Sequence, residues 1–381
     1  MVRVAIFHYW LVTMRGGERV LEALLDLYPE ADVFTHVADP TAISPRIAAR
    51  LKGTTFIDRI PGAKRFYQKF LPLMPLALER LDLSGYDLVI SSEGGPAKGV
   101  LASADALHVC YCHSPMRYVW VMPEGYLAEL PAPVRPLAAW LLHRMRIWDV
   151  STVPRVDHFV ANSATVARRI RRYWRRDSVV VHPPVELDRF AIDPDGPGDG
   201  FLFASQLVGY KRADVAVRAF AGTGRTLLVA GEGPELAALR RIATPNVQFL
   251  GRVSDADLER LYARCRALVF CAEEDFGIVP LEAMASGRPV IAFGRGGACE
   301  TVVDGTTGLF FDAQTPEALR AALDRFEAME ASFDPAVIRR HAEGFARARF
   351  VGEMRGLIEA WLHERGLGDR PAGRRPDGPS Q

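Results

Sequence analysis

Short runs of uninterrupted apolar residues alternate along this chain with stretches whose apolar residues recur every three or four positions. That alternation limits the fold more than any other feature. Runs at residues 2–7, 32–35, 88–91, 107–111 and 158–161 read as strands in the first half. Runs at 201–205, 226–230, 247–250, 267–271 and 290–292 do so in the second. A strand that is apolar on both faces must be covered on both, the condition of a parallel strand under helices. Helical spacing occupies residues 18–27, 164–173, 212–219, 234–243, 255–264 and 316–329. Strands alternating with helices predict parallel sheets. Two such sets predict an α/β protein of two Rossmann-like, doubly wound parallel-sheet domains facing a ligand cleft at their C-terminal strand ends. The expected domains are 1–182 and 183–350, joined by the proline-bearing stretch 181–190. A helix over 351–366 is expected to pack back on the first domain, and 367–381, almost without apolar residues, to form a disordered tail. At 381 residues the chain is long enough to give each domain its own core.

Composition narrows the partners. The net charge is +1, so nothing global points to nucleic acid, and none is expected as a partner. Two local stretches are basic: Arg168-Arg-Ile-Arg-Arg-Tyr-Trp-Arg-Arg176, and Lys64-Arg-Phe-Tyr-Gln-Lys-Phe70, which interleaves aromatic residues. Each reads either as a solvated helix face or as a surface for an anionic partner. No uninterrupted apolar run of 18 residues occurs, so no membrane-spanning helix is expected. The opening Met1-Val-Arg-Val-Ala-Ile-Phe7 reads as a strand start rather than a signal peptide. Cys110, Cys112, Cys265, Cys271 and Cys299 are an odd set in apolar contexts, which predicts buried free thiols, a reducing compartment and a cytoplasmic location. His108, Cys110, Cys112 and His113 crowd together, but they lack the usual zinc spacing and fall on a strand, so no metal is expected.

The sharpest chemical signal is Glu274-Asp-Phe-Gly-Ile-Val-Pro-Leu-Glu282. It predicts strand, loop and helix, with Pro280 in the first helical turn, where a missing N–H loses nothing, and Gly287 and Pro289 as the stop. Glu274 then lies on the loop and Glu282 in the first turn. Free N–H groups of that turn attract an anion. Acids beside an anion site suit a ligand carrying both phosphates and hydroxyls, as a nucleotide-sugar does. Gly16-Gly17-Glu18 opens a helix after the first strand, either as a close backbone approach to phosphate or as an ordinary turn. Gly231-Glu232-Gly233-Pro234 begins like a dinucleotide fingerprint but has Leu236 where the third glycine belongs, so it reads as a nucleotide-contact loop and not an NAD site. Gln206 and Lys211 flank a turn after strand 201–205, and Lys211 is either a diphosphate ligand or a surface lysine. Pro115 ends strand 107–111 and presents His113 at its tip. Gly294-Arg-Gly-Gly-Ala-Cys-Glu300 reads as a tight loop with Glu300 in the following turn, and Gly305-Thr-Thr-Gly308 as a structural, hairpin-like turn.

In this order the pieces resemble family 4 of the retaining nucleotide-sugar glycosyltransferases, over about residues 1 to 360. The two glutamates with seven residues between them are the most specific element. Gly16-Gly17, Gly231-Glu-Gly233, Leu207-Val-Gly-Tyr-Lys-Arg212 and Gly305-Thr-Thr-Gly-Leu309 support it. Tyr111-Cys-His-Ser-Pro-Met-Arg-Tyr-Val-Trp120 looks like a segment of bacterial mannosyltransferases that build surface polysaccharides. The resemblance implies the two-domain GT-B fold, with 1–182 as the acceptor domain and 183–350 as the nucleotide-sugar-binding domain. It further implies that Glu274 contacts the donor sugar, that Glu282 binds the ribose hydroxyls, and that backbone N–H groups of Phe276, Gly277 and Ile278 face sugar or phosphate. Lys211 would neutralise the diphosphate, Glu232 and residues 247–251 would lie at the base, and His113 would face the sugar.

One departure stands out. Many members carry arginine where this chain has Gln206, so one positive charge on the diphosphate is missing, and Arg212 and Arg15 are the candidate replacements. The implied reaction moves a hexose, mannose from GDP-mannose, to a saccharide acceptor linked to a polyprenyl diphosphate, at the inner face of the plasma membrane. Lys211 and helix amides would stabilise the leaving diphosphate without a metal or other cofactor. Lys64 to Phe70, followed by an apolar stretch, would form a peripheral membrane surface. The alternatives are a UDP-sugar glucosyltransferase, a nucleotide-sugar epimerase, and a non-catalytic nucleotide-sugar-binding protein.

Overall fold

The computed structural model describes residues 2–128 and 130–367. The expected tail, apart from Leu367, lies outside the described residues. The chain forms two compact units: residues up to Val181 together with those from Phe350 onward, and His182–Arg349.

The first unit is built on a seven-stranded sheet. Its strands are β1 (Val4–His8), β2 (Asp32–Thr35), β3 (Leu51–Thr54), β4 (Leu88–Glu93), β5 (Leu107–Cys112), β6 (His158–Ala161) and β7 (Val179–Val180). The order is β3-β2-β1-β4-β5-β6-β7, and neighbours are parallel throughout. Apolar residues face both sides, as the continuous runs required. Ile6, Ile90, Val109 and Tyr111 join one core cluster, while Ala5, Phe7 and Val89 join another. The helix Arg347–Glu364 contributes Phe350, Met354, Ile358 and Leu362, spaced by four on one face, to the first of these cores.

The second unit carries a six-stranded sheet. Its strands are β8 (Gly200–Ala204), β9 (Thr226–Ala230), β10 (Val247–Gly251), β11 (Leu268–Phe270), β12 (Val290–Phe293) and β13 (Gly308–Phe311), in the order β10-β9-β8-β11-β12-β13. All neighbours are again parallel. One large cluster, centred on Phe201, Phe220, Leu268, Ile291 and Phe326, forms its core. Both sheets therefore reverse their winding once, between β1 and β4 and between β8 and β11. Open α/β sheets place ligands at the C-terminal strand ends of such points, because the loops there diverge and leave a crevice.

Several expectations are corrected. Gly305 to Gly308 is not a hairpin: residues 308–311 form the edge strand β13, parallel to β12, with Ile291 opposite Leu309. The glutamate-bearing helix begins at Ile278, two residues before Pro280, so Glu282 lies in the second turn rather than the first. Glu300 belongs to the short helix Ala298–Thr301. Four cysteines are buried free thiols, but Cys299 is exposed. The His108–His113 cluster is strand alternation. His108 Nε2 meets Ser91 Oγ at 2.9 Å and Nδ1 meets Arg155 O at 2.7 Å, so both ring nitrogens are engaged within the unit. Among the described residues no helix is long and apolar enough to cross a membrane. The arginine-rich helix Ala164–Trp174 buries Val166, Ile170 and Trp174 and leaves Arg168, Arg171 and Arg172 exposed, a solvated face.

Candidate active site

In the second unit the candidate residues gather where the winding reverses. The loop after β8 bends through a 3-10 turn, Gly209–Lys211, which brings the Lys211 ammonium onto a carboxylate oxygen of Glu274 in the loop after β11. Both side chains are about one-sixth exposed, so the pair is partly desolvated while still open to a ligand. Gln206 lies on the same loop with its side chain exposed. Arg212, one suggested replacement for the missing cation, is committed elsewhere. Its guanidinium donates to both Asp214 oxygens at 3.0 and 3.1 Å and to Gln314 Oε1 and O at 3.4 Å. Arg15 sits at the cap of the first unit's opening helix, with its side chain exposed.

The glycines beside these residues serve backbone packing. At Gly231, where φ is 137°, an added Cβ would lie 1.9 Å from Ser205 O. At Gly233 it would lie 2.2 Å from Leu207 O. The backbones interlock there, with Leu207 N donating to Glu232 O at 2.9 Å and Glu235 N to Leu207 O at 3.1 Å. The 231–234 loop thus clamps the base of the Lys211 loop and leaves the Glu232 side chain exposed, its Oε1 3.8 Å from a Cβ position at Gly251. The 294–297 loop clamps the Glu274 loop in the same way. Gly297 N donates to Glu274 O at 2.8 Å, and a Cβ at Gly297 would stand 2.2 Å from Phe276 Cα and O.

Phe276 is buried and stacks on His182, with centroids 5.1 Å apart. Gly277 caps the helix Ile278–Ala285 in the left-handed region, φ 88°, and no side chain caps the helix's leading amides. Glu282, one turn on, accepts from the buried Tyr262 hydroxyl at 2.9 Å. Burial, and then the Glu282 charge, push the Tyr262 phenol far up, so it remains a donor and holds that carboxylate in place.

In the first unit the reversal lies between β1 and β4. His113, just past β5, donates its backbone N–H to Glu93 O at 2.7 Å and accepts at its carbonyl from Asn162 Nδ2 at 2.9 Å. Burial, and then His8, push the His113 imidazole down to about 3, so it is neutral. Gly16 and Gly17 begin the helix Gly16–Leu27. A Cβ on Gly17 would lie 2.6 Å from Tyr9 Oη and 3.3 Å from His8 Cε1, so its bareness makes room for those two side chains. Below His113, Lys98 is fully buried between Asp149 and Glu93, and Asp149 Oδ2 accepts from Trp120 and Trp174 at 2.7 Å each. Burial pushes the Glu93 carboxyl up to about 7, partly opposed by the Lys98 charge. Among the described residues no group of three His, Cys, Asp or Glu side chains is set to hold a metal ion.

A sequence profile described as Glycosyltransferase Family 4 matches residues 14–189, and one described as Glycosyl transferases group 1 matches residues 185–342. The chain belongs to the family 4 glycosyltransferases. This glycosyltransferase is 30% identical over 299 residues to the D-inositol 3-phosphate glycosyltransferase of Geodermatophilus obscurus, covering 64% of this chain and 63% of that one. It is 32% identical over 217 residues to the GDP-mannose-dependent alpha-(1-6)-phosphatidylinositol monomannoside mannosyltransferase of Mycolicibacterium smegmatis, 46% of this chain and 56% of that one. The chain thus spans under two thirds of the length of each of these relatives. A sucrose-phosphate synthase from Thermosynechococcus elongatus superposes with a TM-score of 0.69 at 19% identity, over 95% of this chain and 100% of that one. Anabaena HepE in complex with UDP and glucose gives 0.69 at 16% identity, over 94% and 100%. The fold of the transferase is therefore GT-B.

Within each unit the structure gathers the predicted residues. Lys211, Gln206, Glu232, Glu274, Phe276, Gly277, Ile278 and Glu282 cluster at the C-terminal ends of β8, β9 and β11, while Gly16, Gly17 and His113 lie at those of β1 and β5. Sequence reasoning missed Tyr262 and the buried set Glu93, Lys98 and Asp149, and it read the Gly297 loop as tight without finding the Glu274 loop that it clamps. It also missed His8, Ser92 and the part played by the Glu18 side chain, although Arg15-Gly-Gly-Glu18 has the acid of a capping box three residues after the cap.

Proposed function

We propose that this glycosyltransferase moves mannose from GDP-mannose, with retention at the anomeric carbon, to a hydroxyl of a saccharide carried on a polyprenyl diphosphate. The observation that carries the reading is the Lys211–Glu274 pair at the winding reversal of the second unit, beside the amide end of helix Ile278–Ala285. A cation and free amides suit a diphosphate that gains charge as it leaves, without a metal ion. Glu274 orients the sugar hydroxyls, and the leaving phosphate guides attack from the same side. Glu282, steadied by Tyr262, suits a ribose diol. Guanine offers a carboxylate its N1–H and N2–H donors, whereas uracil offers a single N–H between two carbonyl acceptors. The exposed Glu232 carboxylate beside the β10 end therefore favours GDP over UDP.

For the acceptor, Phe66, Leu73 and Leu76 are exposed near Lys64, Arg65 and Lys69, a combination suited to an anionic lipid surface. This supports work at the cytoplasmic face of the membrane, in cell-surface polysaccharide synthesis.

A thermal-shift panel of GDP, UDP, ADP and their sugars tests the donor. A ligand at a hundred times its Kd stabilises the folded state by about 2.7 kcal/mol. GDP and GDP-mannose should raise Tm most, and Glu232→Ala should narrow the gap to UDP. Turnover with UDP-glucose but not GDP-mannose overturns the donor assignment. Conversion of the nucleotide-sugar without acceptor would make the protein an epimerase, and transfer unaltered in Glu274→Ala would remove the proposed catalytic role of that residue.

A further inference from the structure

Behind His113 runs a line of buried polar side chains to which the reaction outlined above assigns no role. The parallel register of β1 and β4 sets His8 opposite Ser92, and both side chains are fully buried. His8 Nδ1 lies 2.9 Å from Ser92 Oγ, and the same hydroxyl lies 2.8 Å from His113 Nε2. At the other end His8 Nε2 has no hydrogen-bond partner within ordinary reach but faces Glu18 Oε1 at 3.7 Å, with Glu18 only 2% exposed. The second Glu18 oxygen is already used, accepting the Arg15 backbone N–H at 2.8 Å. Tyr9 stacks on His8 at 4.3 Å and closes the side of the row.

Proton placement along such a row follows from its fixed end. A buried carboxylate repels an imidazole lone pair and attracts an N–H, so His8 carries its proton on Nε2. Its Nδ1 is then an acceptor and takes the Ser92 hydroxyl proton. The Ser92 oxygen has only lone pairs left for His113, so His113 must donate from Nε2, and its own lone pair falls on Nδ1. We propose that the Glu18 carboxylate orients a one-way hydrogen-bond chain through His8 and Ser92 that fixes His113 as the Nε2–H tautomer, leaving Nδ1 to accept a hydrogen bond from a hydroxyl of the transferred sugar. The three are positioning residues, acting on the reaction only through His113. The sugar contact rests on the transferase reading above, whereas the tautomer does not.

Glu18→Gln supplies the test, because the Arg15 N–H keeps the amide oxygen and turns the new NH₂ toward His8. That reverses every donor in the row and moves the His113 proton to Nδ1, with almost no change of shape. Ser92→Ala instead cuts the row and leaves both tautomers populated. Histidine ¹⁵N spectra of the full chain read the result directly, with the His113→Gln spectrum assigning the signals. The expected outcome is Nε2–H in the wild type, Nδ1–H in Glu18→Gln, and kcat/KM for the nucleotide-sugar lower by about tenfold in Glu18→Gln, the scale of one hydrogen bond, and by only about twofold in Ser92→Ala, where part of the population keeps the competent tautomer. A wild-type Nδ1–H tautomer, or no flip in Glu18→Gln, overturns the chain. A flip with kcat/KM held within twofold overturns the sugar contact. Failure of the wild type to turn over any nucleotide-sugar would defeat the transferase reading and the sugar contact, while the spectra would still decide the chain.

Discussion

Gly297→Ala is a sharp test of how the Glu274 loop is held. The new Cβ would meet Phe276 Cα at 2.2 Å, O at 2.2 Å and C at 2.4 Å. All three are backbone atoms, so no side-chain rotation relieves the contact. Carbon atoms rest near 3.5 Å, so one loop must retreat by about 1 Å. The retreating segment carries Glu274 two residues upstream and the cap Gly277 one residue downstream. It also carries the Glu274 carbonyl, which accepts from Gly297 N at 2.8 Å. A misplacement of about 1 Å in a positioned reacting group lowers turnover by about a hundredfold. Overpacking of this kind destabilises by about 1–3 kcal/mol, which a domain of this size tolerates. The assay is initial-rate transfer from the nucleotide-sugar found by the thermal-shift panel, with a urea midpoint to show that the variant is folded. Gly294→Ala is the internal control, since its Cβ would touch Phe310 Cβ and Phe311 O at an ordinary 3.4 Å. Transfer within twofold of wild type in folded Gly297→Ala, or an equal loss in Gly294→Ala, would refute the reasoning.

Other perturbations probe separate parts of the protein. Gln206→Arg supplies the cation missing from the Lys211 loop and should tighten GDP binding about tenfold, since a hydrogen bond to a charged group is worth about 1.5–3 kcal/mol; an unchanged Kd by calorimetry would place Gln206 away from the phosphates. His36 and His108 are pushed down to about 4 mainly by burial, so below the ordinary value of 6.5 the unfolded chain takes protons that the folded one refuses. Stability should therefore fall between about pH 6.5 and 4, and a Tm flat across that window would contradict the burial argument. Glu93, pushed up to about 7, acts in the opposite sense, favouring the folded state as pH drops through that value, so Glu93→Gln should steepen the acid loss. Neutralising Lys64, Arg65 and Lys69 together should weaken binding to anionic liposomes, and unchanged co-sedimentation would dismiss that surface.

The alternation of strand and helix was legible because parallel strands buried on both faces must be continuously apolar. Helices Asp255–Arg264 and Pro316–Met329 match their expected limits, being amphipathic, each with a serine or threonine cap. The edge strands β7 and β13 escaped because they are two and four residues long and carry little pattern. Helix Arg135–Ser151 escaped because its pattern is inverted: Leu137 is 61% and Trp140 55% exposed, while Asp149 is buried against Lys98 and two tryptophans. Lys211 and Glu274 could be picked out because each lies on a loop that follows a legible strand. His8 and Ser92 could not, since 84 residues separate them and only the β1–β4 register makes them neighbours. The glycine loops were recognised, but not the neighbouring backbone that the missing side chains admit at Gly231, Gly233 and Gly297.

The helix Arg347–Glu364 has a consequence for how the chain is made. Four of its side chains, with Leu367 just past it, complete a core whose other fully buried members lie at or before Val181. During synthesis, the second unit's 168 contiguous residues emerge before that helix does. Until then helix Gly16–Leu27 supplies part of that cluster through Leu21, Leu24 and Leu25, but Tyr111 lacks Phe350, whose ring it meets edge-on at 5.5 Å. The first unit's core is thus complete only after the whole of the second unit has been synthesised.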